Sequence, residues 1–391
     1  RRCPASRRAS FAAFPTGCAS SACGDPVTGA PDAIVVGAGP AGAAAGIGLA
    51  RGGAKTWLLE RSRDTGDALC GGFLSWPTLA RLAALGIGAD TLGGQVVRRV
   101  RLFAGAAQSE TPLPAAAMGV SRQRLDSALQ AAAVAAGAGL ERGIVATAIE
   151  DGAVRTRDGA ALRAPSTFLA AGKHGFRGFA REPAAWQRAD PVMGLRLRLP
   201  PHPALDRLVE DAVELHLFDR GYAGLVRQED GSANLCLAVH KSQLGASPEA
   251  LLRRLGDTNP HLGERLARAD WTVAIDAIGH VPYGWRSGVT TPGLFRLGDQ
   301  AGVIPSLAGE GMGIALASAE AAVTAWRRGA ADAAPAFQRA LAARMVRPFA
   351  LANIVWRVGE SRRGGPLMVR AAALAPPLVR GMTRATRLPG G

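Results

Sequence analysis

Residues Ala33 to Gly46 read AIVVGAGPAGAAAG, and the order of residues in that stretch decides the architecture. Ala33-Ile34-Val35-Val36 is a short apolar run suited to a buried parallel strand. Gly37-Ala38-Gly39-Pro40-Ala41-Gly42 then matches the spacing G-x-G-x-x-G and leads into small residues that predict a helix to about Gly53. Lys55 to Leu59 reads as a second strand, closed by Glu60. Gly37 permits the tight turn, Gly39 lets backbone approach a pyrophosphate, and Gly42 lets helix and strand pack closely. The helix N-terminus offers unpaired N–H groups and a positive dipole end to phosphates. Glu60 stands eighteen residues past Gly42, where a carboxylate can take both hydroxyls of an adenosine ribose.

A second glycine-rich stretch lies far downstream: Phe295 to Gly313, FRLGDQAGVIPSLAGEGMG. Leu294 to Leu297 reads as a strand with Asp299 at its carboxyl end, the edge at which open α/β sheets bind ligands. A carboxylate there can accept from the ribityl hydroxyls of a flavin. Pro305 fixes the backbone beside a flat ring. Gly309-Glu310-Gly311-Met312-Gly313 then precedes a predicted helix, Ile314 to about Trp326, whose first N–H groups can stabilise negative charge on the ring.

Four segments, GAGPAG…LLER, CGGFLS, SRQRLD and GDQAGVIPSLAGEGMG, occur in an order that resembles FAD-dependent enzymes of the p-hydroxybenzoate hydroxylase and geranylgeranyl reductase superfamily. The resemblance covers about Pro31 to Arg347. It implies FAD as cofactor, with the ADP half on Gly37, Gly39, Pro40, Ala41, Gly42, Glu60 and Arg61. It implies the ribityl and ring half on Asp299, Pro305, Gly309, Gly311 and Met312. Cys70, from CGGFLS, is either a thiol beside the flavin or a small buried residue in a tight loop. Arg122, from SRQRLD, either reaches the cofactor phosphates or is a solvated residue at a helix start.

One family feature departs. Where the resemblance calls for an Asp-Gly pair, this chain has Ala171-Gly172. Lys173 or His174 is then the candidate to take over a phosphate contact. No second G-x-G-x-x-G lies between a strand and a helix, so a two-dinucleotide disulfide reductase is not expected, and NAD(P)H, if used, is expected to bind as a transient electron donor or to act through another electron carrier.

Lys occurs only at Lys55, Lys173 and Lys241, and Arg supplies all the other basic residues of a chain with net charge +15. The charge is scattered, without a dense basic block interleaved with aromatics, so no nucleic-acid partner is expected. Five cysteines, Cys3, Cys18, Cys23, Cys70 and Cys236, form neither a disulfide framework nor a zinc-type spacing, which suits a reducing, cytoplasmic compartment. Residues 1–30 are Arg- and Ser-rich and acid-poor but lack an apolar core segment. They are expected to be a disordered tail, or to precede the true start, rather than a targeting signal.

From about Ala185 to Arg286 the pattern changes to polar–apolar alternation, as in GLRLRLP, VELHLFDRGYAGLVRQ and ANLCLAVH, which predicts antiparallel strands. His216, Tyr222, His240, His280, Tyr283 and Trp285 lie here; each is expected to be structural more than catalytic, with VPYGW the segment placed to enter a pocket. From Arg347 to Leu388, Arg alternates with apolar helical segments. This predicts either a helical cap over the FAD domain or an interfacial helix making peripheral membrane contact.

The expected fold is α/β, a Rossmann-like FAD-binding domain interleaved with an antiparallel-sheet substrate domain and followed by C-terminal helices. The expected divisions are 1–30; 31–181 with 287–330 for FAD; 182–286 for substrate; and 331–391. The expected activity is a FAD-dependent monooxygenase acting on an aromatic or lipophilic small molecule, such as a polyketide or quinone precursor. The alternatives are a reductase of prenyl double bonds and a flavin-binding module without turnover.

Overall fold

A computed structural model describes residues 30–173 and 175–388. Ala33–Val36 forms a strand with every residue buried. It pairs parallel with Thr56–Glu60 on one side and Ser166–Leu169 on the other. Leu294–Arg296 and Gly139–Arg142 complete a five-stranded parallel sheet at its two edges. Phe168 and Phe295, on adjacent strands, stack at 4.6 Å between ring centroids. In-register pairing of Val36 with Leu59 and Leu169, and of Leu169 with Arg296, brings four carboxyl ends to one edge. The turns after those ends carry Gly37–Gly39, Arg61, Ala170–Lys173 and Gly298–Asp299.

The first helix, Pro40–Arg51, packs against this sheet and against helix Gly311–Gly329. Its small residues are what permit the approach. A Cβ on Gly46 would stand 2.6 Å from the Leu58 side chain, and one on Gly48 would stand 3.0 Å from Val323. The second helix starts at Gly311, three residues before the predicted Ile314, because Gly311 and Met312 already lie in its first turn.

The larger sheet has eight strands in the order Asp276–Ile278, Val192–Leu199, Ala233–His240, Gly221–Arg227, Ala212–Phe218, Gln95–Ala104, Ala107–Gly119, Phe73–Leu74. It is antiparallel except for one junction, where Ala212–Phe218 runs parallel to Gln95–Ala104. The sequence reading gave residues 31–181 to the FAD half, yet three strands from 73–119 lie in this larger sheet. Their side chains are the reason: Val100, Leu102 and Ala104 pack with Leu217, Tyr222 and Trp356 in one apolar cluster. A small three-stranded sheet spans residues 146–163.

Helices Ala334–Gly359, Gly364–Leu374 and Pro376–Ala385 close the chain. The last two pack on Ala107–Gly119, and Gly364–Leu374 also on Gln95–Ala104, so they cover the larger sheet rather than the parallel one. The buried Trp356 anchors them, edge-on to Tyr283 at 5.2 Å. No helix among the described residues is long and apolar enough to cross a membrane. Residues 1–29, and with them most of the expected tail, lie outside the described residues, as does His174.

Candidate active site

Gly37 holds φ +96°, and a Cβ there would come 2.6 Å from the Ala170 carbonyl oxygen, so only glycine fits this turn. A Cβ on Gly42 would strike the Gly37 carbonyl oxygen at 1.8 Å. Gly39 differs: a Cβ there would meet only the tip of Arg122, at 3.3 Å. Gly39 is the N-cap of helix Pro40–Arg51, and no side chain caps that end. Glu60 stands at the same turn, its two carboxylate oxygens accepting from Ala38 N at 3.0 Å and Ser62 N at 2.9 Å. Gln130 completes it by donating to Ala38 O at 2.9 Å.

Arg122 is the first residue of helix Arg122–Ala135, whose N-cap Ser121 accepts from Arg124 N. Its guanidinium is held in a fork by Asp126, one helical turn on, at 2.9 and 2.7 Å. Such a planar clamp points a fixed positive charge at the Gly39 turn. Arg61 is exposed and does not line the cavity.

Asp299 sits in the turn Gly298–Gln300 after the Leu294–Arg296 strand, with Lys173 Nζ 3.6 Å from its carboxylate. The Asp299 charge raises the Lys173 pKa and keeps the ammonium protonated. Arg181 ties the two turns together by donating to the carbonyls of Gly172, Lys173 and Asp299. Gln300 adds a bond to Gly172 O at 2.8 Å. Ala171 stands in this double-tied turn where the related pattern has an acid.

Pro305 leads into the turn Ser306–Ala308, and Gly309 follows at φ +62°, where a Cβ would come 3.0 Å from the Phe73 ring. Helix Gly311–Gly329 then begins, again with no side chain capping its N-terminus. Glu310, between the two glycines, is fully buried and accepts from Ser75 Oγ at 3.0 Å. Its carboxylate also faces Arg387, from beyond the last helix, at 3.1 Å.

Both uncapped helix ends border one cavity of about 270 Å³, together with Cys70, Arg122, Lys173 and Asp299. A Cβ on Gly311 would meet nothing within 4 Å, so this end, like Gly39, faces open space. The residues therefore fit FAD: two helix dipoles, one Arg and one carboxylate converge on a groove that glycines keep clear. Of the predicted cofactor residues, Gly39, Pro40, Ala41, Cys70, Arg122, Asp299, Gly309, Gly311 and Met312 line this cavity, while Gly37, Gly42, Glu60 and Pro305 shape the turns beside it without lining it.

The rest of that cavity is apolar, walled by residues such as Leu113, Val213, Leu215, Leu237 and Ile278. Its polar point is Ser306, whose Oγ accepts from the Tyr222 hydroxyl at 2.5 Å and lies 2.6 Å from the Tyr283 hydroxyl. Burial pushes both phenols above their usual pKa, Tyr222 well above, so both stay protonated. Cys236 donates from Sγ to Cys70 O at 2.9 Å, and burial pushes its thiol up to about 12. That contact and Asn234 Nδ2 to Cys70 O at 2.8 Å pin the Cys70 loop on the larger sheet.

The other aromatic and imidazole groups in that stretch stand apart from the cavity. His216 is buried between Glu214 at 3.2 Å and the stacked Phe103 ring. His240 bonds Asp190 O and Glu360 and stacks on Trp356. Trp285 lies under the Arg296 guanidinium at 5.1 Å, and His280, at φ +57°, is on the surface. Sequence reading did not single out Gln130, Arg181, Ser306, Glu310 or Arg387. Each acts through a bond to a residue far away in the chain, and no local pattern marks it.

Residues 31–181 match the FAD binding domain family. No curated protein matches the chain. Solved structures that share the fold include the following three. A geranylgeranyl bacteriochlorophyll reductase-like protein from Thermoplasma acidophilum is 21% identical, over 88% of this chain and 91% of that one, with a TM-score of 0.70. PqsL of P. aeruginosa, in complex with 2-aminobenzoylacetate, is 18% identical over 87% of this chain and 100% of that one, at 0.68. The flavin-dependent brominase Bmp2 is 16% identical over 92% of this chain and 93% of that one, at 0.74.

Proposed function

We propose that this chain, whose residues 31–181 match the FAD binding domain family, is an FAD-dependent monooxygenase hydroxylating an aromatic or lipophilic ring compound, such as a polyketide or quinone precursor. The observation that carries this reading is the pair of protonated phenols converging on Ser306, opposite the apolar wall of the cavity formed by Leu113, Val213, Leu215, Leu237 and Ile278. FAD, when bound, supplies the reaction with O₂ and the transfer of one oxygen atom. The chain's part is positional and electrostatic. Tyr222, Ser306 and Tyr283 offer one hydrogen-bonding point to a ring hydroxyl or carbonyl, which orients the ring. Leu113, Val213, Leu215, Leu237 and Ile278 exclude water from the face where oxygen is transferred. Lys173, held charged by Asp299, adds positive potential beside the cavity.

The test supplies ¹⁸O₂ and NAD(P)H to the purified holoenzyme with 4-alkylphenols as substrate probes. Product carrying one ¹⁸O supports the reading; consumption of NAD(P)H with no labelled product overturns it.

A second reading, reduction of prenyl double bonds, is favoured by Ala171 standing in place of the acid and by Cys70 facing the cavity. Its mark is a product heavier by about two hydrogens per reduced bond, formed without oxygen. Under either reading NADPH alone should reduce the flavin slowly, since Ala171 stands where the related pattern has an acid. Fast, saturable reduction would remove that expectation. The same reading places the protein in the cytoplasm, in keeping with Cys70 and Cys236 as free thiols. Membrane contact through the C-terminal helices is supported by exposed Leu367, Leu374 and Leu378 among their arginines; co-sedimentation with anionic vesicles tests it.

A further inference from the structure

A second cavity of about 290 Å³ lies between strands Gln95–Ala104 and Ala212–Phe218 and the three C-terminal helices. Its walls are Leu, Val, Ile, Ala and Met, with Thr383 and Thr386 as the polar exceptions, and among the described residues no charged side chain lines it. It shares Val100, Leu215, Leu307, Ala308 and Thr383 with the first cavity. The common wall begins one residue after Ser306, the polar point of the first cavity. At the other end, Ile354 and Leu378 line the second cavity while each remains 59% exposed, so that end reaches the surface. A polar anchor, an apolar chamber and a surface mouth thus stand in series.

We propose that this second cavity holds a long alkyl or isoprenoid chain of the substrate, whose ring or other polar head sits at Ser306. The substrate class is then an amphiphile: a compact polar head, joined to an apolar chain that passes Leu307 and Thr383 and runs between sheet and helices. A chain binding there leaves water for an apolar wall, and each methylene contributes its transfer free energy. A hydrophilic tail would lose its hydration and find two threonine hydroxyls in return. The position of the head rests on the proposed function; the chamber's occupant does not.

The test titrates the holoenzyme with 4-ethyl-, 4-hexyl- and 4-decylphenol and follows the flavin absorbance, which reads binding rather than turnover. Affinity is expected to rise by up to about fourfold per methylene while the chain is entering the chamber. Ala371→Trp and Val358→Trp each place bulk at the chamber from an exposed position, so neither needs the core to repack. Both should flatten the chain-length dependence while leaving 4-ethylphenol binding within about twofold. Affinity independent of chain length, or an unchanged dependence in both variants, overturns the proposal. A chain-length dependence without oxygenated product keeps the chamber and removes the hydroxylase reading. Oxygenation of 4-ethylphenol with no chain-length dependence does the reverse.

Discussion

Arg387 and Glu310 form an ion pair in the interior, at 3.1 Å, with side chains 7% and 0% exposed. The pair joins the end of the chain to the turn that opens helix Gly311–Gly329, and Arg387 also donates to Ala308 O at 2.5 Å. Burial pulls the two groups toward neutrality from opposite sides, raising the Glu310 pKa and lowering that of Arg387. A buried pair of this kind is costly to break from one side, because the survivor is left unpaired.

Arg387→Leu should therefore cost about 3–5 kcal/mol of stability and lower FAD occupancy, with Glu310→Gln acting in the same direction. The double variant should lose less than the two single losses added together. Chemical denaturation of all four proteins checks this; strict additivity would show that the pair does not interact.

Gly39→Val and Gly42→Ala should separate cofactor binding from folding. Gly39 faces the cavity, so Val there should leave the melting temperature of the FAD-free protein nearly unchanged and remove FAD binding. A Cβ on Gly42 would stand 1.8 Å from the Gly37 carbonyl oxygen, so even Ala should destabilise the fold itself. Thermal melts with and without FAD read both effects.

Ser306→Ala removes the hydroxyl that bonds both buried phenols and should slow turnover by about tenfold or more with FAD affinity retained. Tyr222→Phe and Tyr283→Phe should each fall short of that loss, since one phenol–serine bond survives. Steady-state kinetics at matched FAD occupancy decides; a Ser306→Ala enzyme with full activity would take the hydroxyl pair out of the reaction.

Glu214 gives an acid-side prediction. Burial opposes its charge, but hydrogen bonds from His216 and Arg265 hold its pKa down to about 2 from an ordinary 4.5. A depressed carboxyl contributes stability above its unfolded pKa and loses it as pH falls toward the folded one. About 3 kcal/mol should thus disappear between pH 4.5 and pH 2. Glu214→Gln, less stable at pH 7, should lose correspondingly less across that window in acid denaturation.

The two glycine-rich stretches were legible because their requirement is local. A turn at positive φ, or a backbone approach too close for a Cβ, can be met only by glycine, and the spacing records it. The same holds for Arg122, whose helix start and Asp126 partner lie four residues apart. What the sequence did not disclose is long-range. The Glu310–Arg387 pair spans 77 residues, and Ser306 meets Tyr222 across 84. The spacing predicts the helix from Ile314, yet Gly311 and Met312 already lie in its first turn. The division at residue 181 places residues 95–119 with the FAD half. Their alternating pattern fits either sheet, and only the partner strand Ala212–Phe218 decides between them.

That parallel junction between Gln95–Ala104 and Ala212–Phe218 bears on modularity. A segment cut at residue 181 would keep the matched FAD-binding region in sequence but leave Gln95–Ala104 with one long edge bare, its N–H and C=O groups open to any passing strand. The two halves thus share a seam instead of meeting at a linker. Swapping the substrate-binding part between relatives would require cutting inside a continuous sheet. The seam joins strands far apart in sequence, so until both have been made the edge of Gln95–Ala104 stays open to a strand from another chain.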